Sequence, residues 1–137
     1  MVEFSDSDLL RNKLVDPAWY TLDIGAVGPW TPSKNGDSNN CLIEATIIRN
    51  GDNGDESFRG VPLTLQFNDK VKARGFIEGF LRALGVDVQP GRYNLQAASG
   101  LKVDAFVENE TYEGRTRNRC NHKYRAVKAA EDVVAAN

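Results

Sequence analysis

A mainly β, antiparallel fold with a single helix inserted after the third strand is predicted by three observations on this 137-residue sequence. Four segments alternate apolar and polar residues with the period of two that a half-buried strand requires, and a fifth can return on the fourth as a hairpin. Between the third and fourth strands the period changes to that of an amphipathic helix. The intervening segments are rich in Gly, Pro, Asn, Asp and Ser, which favour turns over a ladder.

The first strand is "WYTLDIGAV", with Tyr20, Leu22, Ile24 and Ala26 facing inward and Trp19, Thr21, Asp23 and Gly25 facing out. The loop "GPWTPSKNGDSNN" leads to "CLIEATIIR", where Cys41, Ile43, Ala45 and Ile47 share a face opposite Glu44 and Thr46. After "NGDNGDESFRG", the third strand "VPLTLQF" presents Val61, Leu63, Leu65 and Phe67, and Pro62 near its start is tolerable. In "NDKVKARGFIEGFLRALG" the apolar positions Phe76, Ile77, Phe80, Leu81 and Leu84 follow helical spacing. Asn68 or Asp69 can cap its start and Gly85 can end it. Gly75 and Gly79, one turn apart, either let the helix approach the sheet closely or are simply tolerated at up to about 1 kcal/mol each. "VDVQPGRYNLQAASG" connects to the fourth strand "LKVDAFVENE", and the turn "TYEG" returns the chain as the fifth. Tyr20, Phe67, Phe76 and Phe80 are assigned to the core.

Hydrophobic content of 41% with 26% charged residues suits one globular domain. Its expected bounds are 19–125, with an N-terminal extension over 1–18 and a tail over 126–137 that reads as a weak helix or a frayed end. The start has no basic segment followed by a long apolar one, and no run approaches a membrane span, so the expectation is a cytoplasmic protein with no membrane partner. Cys41 and Cys120 are far apart with no C-x-x-C, which fits reduced thiols and no zinc site. His122 is the only histidine, and with Cys120 it supplies neither a zinc ligand set nor a catalytic triad. The acids of "GDNGDE" lack the spacing of a calcium loop, and no phosphate loop is present. The expectation is a non-catalytic protein without metal or cofactor.

Charge is the informative feature. Formal net charge is -2 and the isoelectric point is near 5.4. Residues 1–67 hold five Lys or Arg against ten Asp or Glu, whereas Arg115 to Lys128 holds six basic residues and no acid. Such a stripe can bind a polyanion that the rest of the surface repels. In an extended strand Arg115, Arg117 and Arg119 point to one side, where guanidinium groups can pair with phosphates or lie flat on bases. Lys123 and Arg125 continue the run. A solvated edge strand is the alternative, since edge charges discourage aggregation. Single-strand binding also needs aromatic faces for unpaired bases. Trp30 in its polar loop, outward Trp19 and Tyr112 beside the hairpin are candidates, with Tyr124 and Phe58 behind them; packing against the protein is the alternative for each. Lys34, Arg49 and Arg59 flank the second strand and can extend the positive path.

Three strands, a helix and two strands form the element order of an OB-fold, a five-stranded partly open barrel that binds oligonucleotides or oligosaccharides; a mixed α+β sandwich competes with it. "WYTLDIGAV", "FRGVPLTLQF", "FIEGFLRALGV", "ASGLKVDAFVENETYEGRTRNRC" and "KY", in that order from about Trp19 to Tyr124, resemble a phage-encoded family of small proteins long filed as a domain of unknown function and linked to single-stranded DNA binding. The resemblance implies an OB-like barrel that coats single-stranded DNA during phage DNA replication or recombination in the infected host, with replication or recombination proteins as further partners. A protein-protein adaptor or virion component on the same barrel is the rival reading.

Overall fold

The computed structural model describes residues 10, 13–89 and 93–128; the expected tail helix lies outside them from residue 129 onward, as does most of the N-terminal extension. Six antiparallel strands are present: β1 (Ala18–Val27), β2 (Thr31–Pro32), β3 (Asn39–Asn50), β4 (Pro62–Asn68), β5 (Lys102–Tyr112) and β6 (Arg115–Arg125). One α-helix, α1 (Arg74–Leu84), follows a 3-10 turn at Val71–Ala73 and lies between β4 and β5. The two-residue β2 is an addition to the five strands expected. It pairs with the start of β3 on the side that β1 also occupies, at Thr31 opposite Asn40.

Across the sheet the order is β4-β3-β1-β5-β6, with β2 paired to the start of β3 on its β1 side. The inward faces follow the alternation in the sequence: Tyr20, Leu22 and Ile24 of β1, Cys41, Ile43, Ala45 and Ile47 of β3, and Leu63, Leu65 and Phe67 of β4 are all buried. Ala26 departs from this pattern and is exposed. The β1–β3 register shifts between Ile24 and Val27, and an irregular register of this kind turns side chains out of alternation. The sheet curls until Phe67 of β4 and His122 of β6 lie 4.9 Å apart between ring centroids, yet no ladder joins these two strands. The result is an open sheet with a seam between β4 and β6.

Helix α1 covers the inner face of the sheet. Ile77, Phe80 and Leu81 are its buried residues, and Phe80 packs on Phe67 and Tyr124 at 4.8 and 4.9 Å. Gly85 ends it in the left-handed conformation (φ 84°), and Val86 N donates to Leu81 O. Two expectations are corrected by the structure, and one alternative is decided. Phe76 is not in the core but 48% exposed; it stands about 100° around the helix from buried Ile77, which turns it toward the seam. Neither Asn68 nor Asp69 caps α1, which has no side-chain cap. Asn68 Oδ1 accepts from Lys70 N, and Asp69 accepts from both the backbone N and the Nδ2 of Asn39. Gly75 and Gly79 do not serve close approach, because a Cβ on either would meet nothing within 4 Å. Gly79→Ala is therefore expected to stabilise the protein by about 0.5–1 kcal/mol, read as a raised urea midpoint with unchanged slope.

The hairpin between β5 and β6 turns on Glu113 and Gly114, both at positive φ (50° and 77°), the two-residue form that matches strand twist. Its inner face holds the N-terminal segment. Val15 N donates to Asn118 Oδ1 (3.0 Å), Asn118 Nδ2 donates to Lys13 O (2.9 Å), and Asn109 Nδ2 donates to Val15 O (3.0 Å). Val15 is buried in the core, so part of the expected extension is packed against the domain. Among the described residues no helix is long and apolar enough to cross a membrane.

Candidate functional site

The basic run forms β6. Its register sets Arg115 opposite Tyr112, Arg117 opposite Glu110 and Arg119 opposite Glu108, which places the three arginines on one face. All three are exposed. The acids across the hairpin bear on them: Arg119 Nη1 lies 2.9 Å from Glu110 Oε2, and Arg119 Nε donates to Asn121 Oδ1. Among the described residues, no ion pair involves Arg115 or Arg117.

Beyond Cys120 the alternation breaks. Ala105 faces Tyr124 and Val107 faces Cys120, so Asn121, His122 and Lys123 together stand against the single residue Phe106. His122 sits in this bulge at φ 60°, a conformation a non-glycine residue seldom adopts. Its imidazole stacks on Phe76 (4.8 Å, interplanar 22°) and lies tilted to Phe67 (4.9 Å, 44°), with Nδ1 3.0 Å from Tyr124 Oη. Burial first, and then the charge of Arg119, hold the imidazole below its ordinary value of 6.5, against a hydrogen bond with the Gln66 backbone. Burial likewise pushes the thiols of Cys41 and Cys120 up.

Along the seam lies a cleft of about 640 Å³ whose lining includes Gln66, Phe67, Phe76, Arg117, Arg119 and His122. It joins two cations of the β6 row to the Phe76–His122 stack. Neither ring of that stack was expected from the sequence to take part, and residues 46 positions apart on a helix and a strand carry no local signal of their stacking.

The other candidate residues fall elsewhere. Trp19 stands half-buried on the outer face, edge-on to Phe106 at 5.7 Å, and the Arg125 guanidinium covers its ring at 4.4 Å. Arg125 Nε also donates to Asp104 Oδ2 (3.1 Å) and its Nη2 to Asp52 Oδ1 (2.7 Å), so it works inside the protein. Lys128 joins Asp52 at 3.0 Å, and hydrogen bonds from Arg125 and Lys128 hold the Asp52 carboxyl below the usual range. Lys123 lies over Phe106 at 5.4 Å. Phe58 packs edge-on to Tyr20 beneath Lys13, and Arg59 is paired with Glu56 at 2.6 Å. Arg49 is opposite Thr21 on β3, while Lys34 is exposed in the turn between β2 and β3. Trp30 (37% exposed) and Tyr112 (64%) remain the open aromatics outside the cleft. Where β3 and β4 pair with each other, the outward positions, including Leu42, Glu44, Thr46, Thr64 and Gln66, carry an acid and no base. On the outer face of β3 the base is Arg49, at the far end of the strand beside β1.

No protein-family model matches the chain, and neither does any curated protein.

Proposed function

We propose that this chain binds single-stranded DNA without catalysis, as an OB-like, partly open barrel whose seam and basic strand take the nucleic acid. The observation that carries the reading is the placement of Arg117 and Arg119 at an open cleft with aromatic rings in its wall. Cations that follow phosphates, set beside planar faces for unpaired bases, are the two requirements of sequence-tolerant single-strand binding. A role in coating phage DNA during replication or recombination rests on the motif resemblance, and localisation in the host cytoplasm follows from it.

Titrating labelled oligo-dT, oligo-rU and duplex DNA at two salt concentrations tests this. Two or three phosphates neutralised on a single strand correspond to a slope of about -1.4 to -2 in log affinity against log salt. Oligo-dT is expected to bind with such a slope and more tightly than the duplex. Absence of salt-sensitive binding to any nucleic acid overturns the reading and puts the adaptor role first.

A further inference from the structure

The geometry points to a base-stacking subsite at the seam: the exposed ring of Phe76, backed by the imidazole of His122, takes one unpaired nucleobase while Arg117 or Arg119 meets its phosphate. This rests on the single-strand-binding reading and adds a residue pair to it. Three independent observations converge on these two rings.

First, Phe76 is a large apolar side chain left 48% exposed on a helix that buries its neighbours Ile77 and Phe80. It is not a loose surface residue, because one face of its ring lies nearly parallel on His122 at 4.8 Å. The stack holds the ring as a shelf without covering it. Second, His122 reaches this position through a bulge of three residues against one and a φ of 60°. Bulges re-aim side chains, and a strained backbone that persists is a pointer to function. Phe67 behind the imidazole and the Tyr124 hydroxyl at 3.0 Å hold it in place. Third, the shelf lines the same cleft as Arg117 and Arg119, so one nucleotide can place its base on the ring and its phosphate on a guanidinium. A planar face next to cations matches a nucleotide, whereas a purely apolar ligand would make no use of Arg117, which lines the cleft and has no ion pair among the described residues.

Phe76→Leu tests the shelf, because leucine keeps the apolar bulk at an exposed position and removes the planar face. Loss of one base-aromatic stack is worth about 1–3 kcal/mol, so affinity for oligo-dT should weaken roughly 5- to 150-fold. The salt slope should stay that of the parent, since no charge changes. Phe76→Trp should retain affinity, and its added fluorescence, measured against the parent, should be quenched by oligo-dT. An abasic oligomer of equal length retains the phosphates without the bases, and the parent and Phe76→Leu should bind it equally. Circular dichroism and the urea midpoint check that both variants are folded. A folded Phe76→Leu that binds oligo-dT as the parent does overturns the shelf and leaves single-strand binding intact. A parent that binds neither oligo-dT nor the abasic oligomer overturns both.

Discussion

Gly51→Ala is expected to destabilise the protein by about 3 kcal/mol, a fall of roughly 10 °C in Tm for a domain of this size. Gly51 follows β3, and its N donates to Trp19 O at 2.8 Å. A Cβ there would lie 2.6 Å from Asp104 Oδ2 and 2.9 Å from its Cγ, closer than real atoms pack. Asp104 has no room to yield. It is fully buried, accepts from Thr21 Oγ1 at 2.6 Å and pairs with Arg125 Nε at 3.1 Å. Arg125 in turn lies on Trp19, so moving the carboxylate disturbs a chain of contacts across β1, β5 and β6. Asp104→Ala alone should cost about 2–4 kcal/mol, because it leaves the buried Thr21 hydroxyl without its acceptor and takes from Arg125 one of its two carboxylate partners. The double variant should cost about 2 kcal/mol less than the two singles added, since removing the carboxylate removes the clash. Urea unfolding of the four proteins measures the cycle. A neutral Gly51→Ala, or strict additivity, would show that Asp104 is held less tightly than its contacts imply.

Much of this architecture was legible in the sequence because β3 and β4 bury one face cleanly. Cys41 to Ile47 and Leu63 to Phe67 keep the period of two without a break, and the core follows it. Gly85 and the Glu113–Gly114 turn were legible for a different reason: positive φ favours glycine, so the residue type marks the geometry. Phe76 was misplaced because helical spacing gives an apolar arc without its limits, and only packing shows that the core ends at Ile77. In β6 no apolar alternation exists to betray the bulge at Asn121–Lys123, so neither the aim of His122 nor the turning of Arg125 onto Trp19 could be inferred. One signal was present and unused. Asp104 is a charge within "LKVDAFV", and a carboxylate flanked by apolar residues in a strand calls for a buried partner, which Arg125 supplies. Docking of Lys13–Val15 by Asn109 and Asn118 left no comparable trace, since asparagine in a hairpin strand suits solvent equally well.

Changing Arg115, Arg117 and Arg119 together to Gln is expected to flatten the salt dependence of oligo-dT binding by about 1.4–2 units of slope, the contribution of two to three single-strand phosphates. The lower figure applies if Arg119 stays bound to Glu110 rather than turning to a phosphate, for their 2.9 Å contact has to be given up first. Arg115 and Arg117 carry no such debt among the described residues. Glutamine removes the charge and keeps a polar, hydrogen-bonding side chain at three exposed strand positions, so the urea midpoint should hardly move. The acids across the hairpin supply the control of opposite sign. Glu108 and Glu110 face Arg119 and Arg117 in the register and offset their field, so Glu108→Gln with Glu110→Gln should tighten binding. Both shifts should fade at high salt, where exposed charges are screened. A folded triple variant with the parent's affinity and slope would remove β6 from the interface, and the arginine row would then serve as an edge that discourages pairing with another sheet.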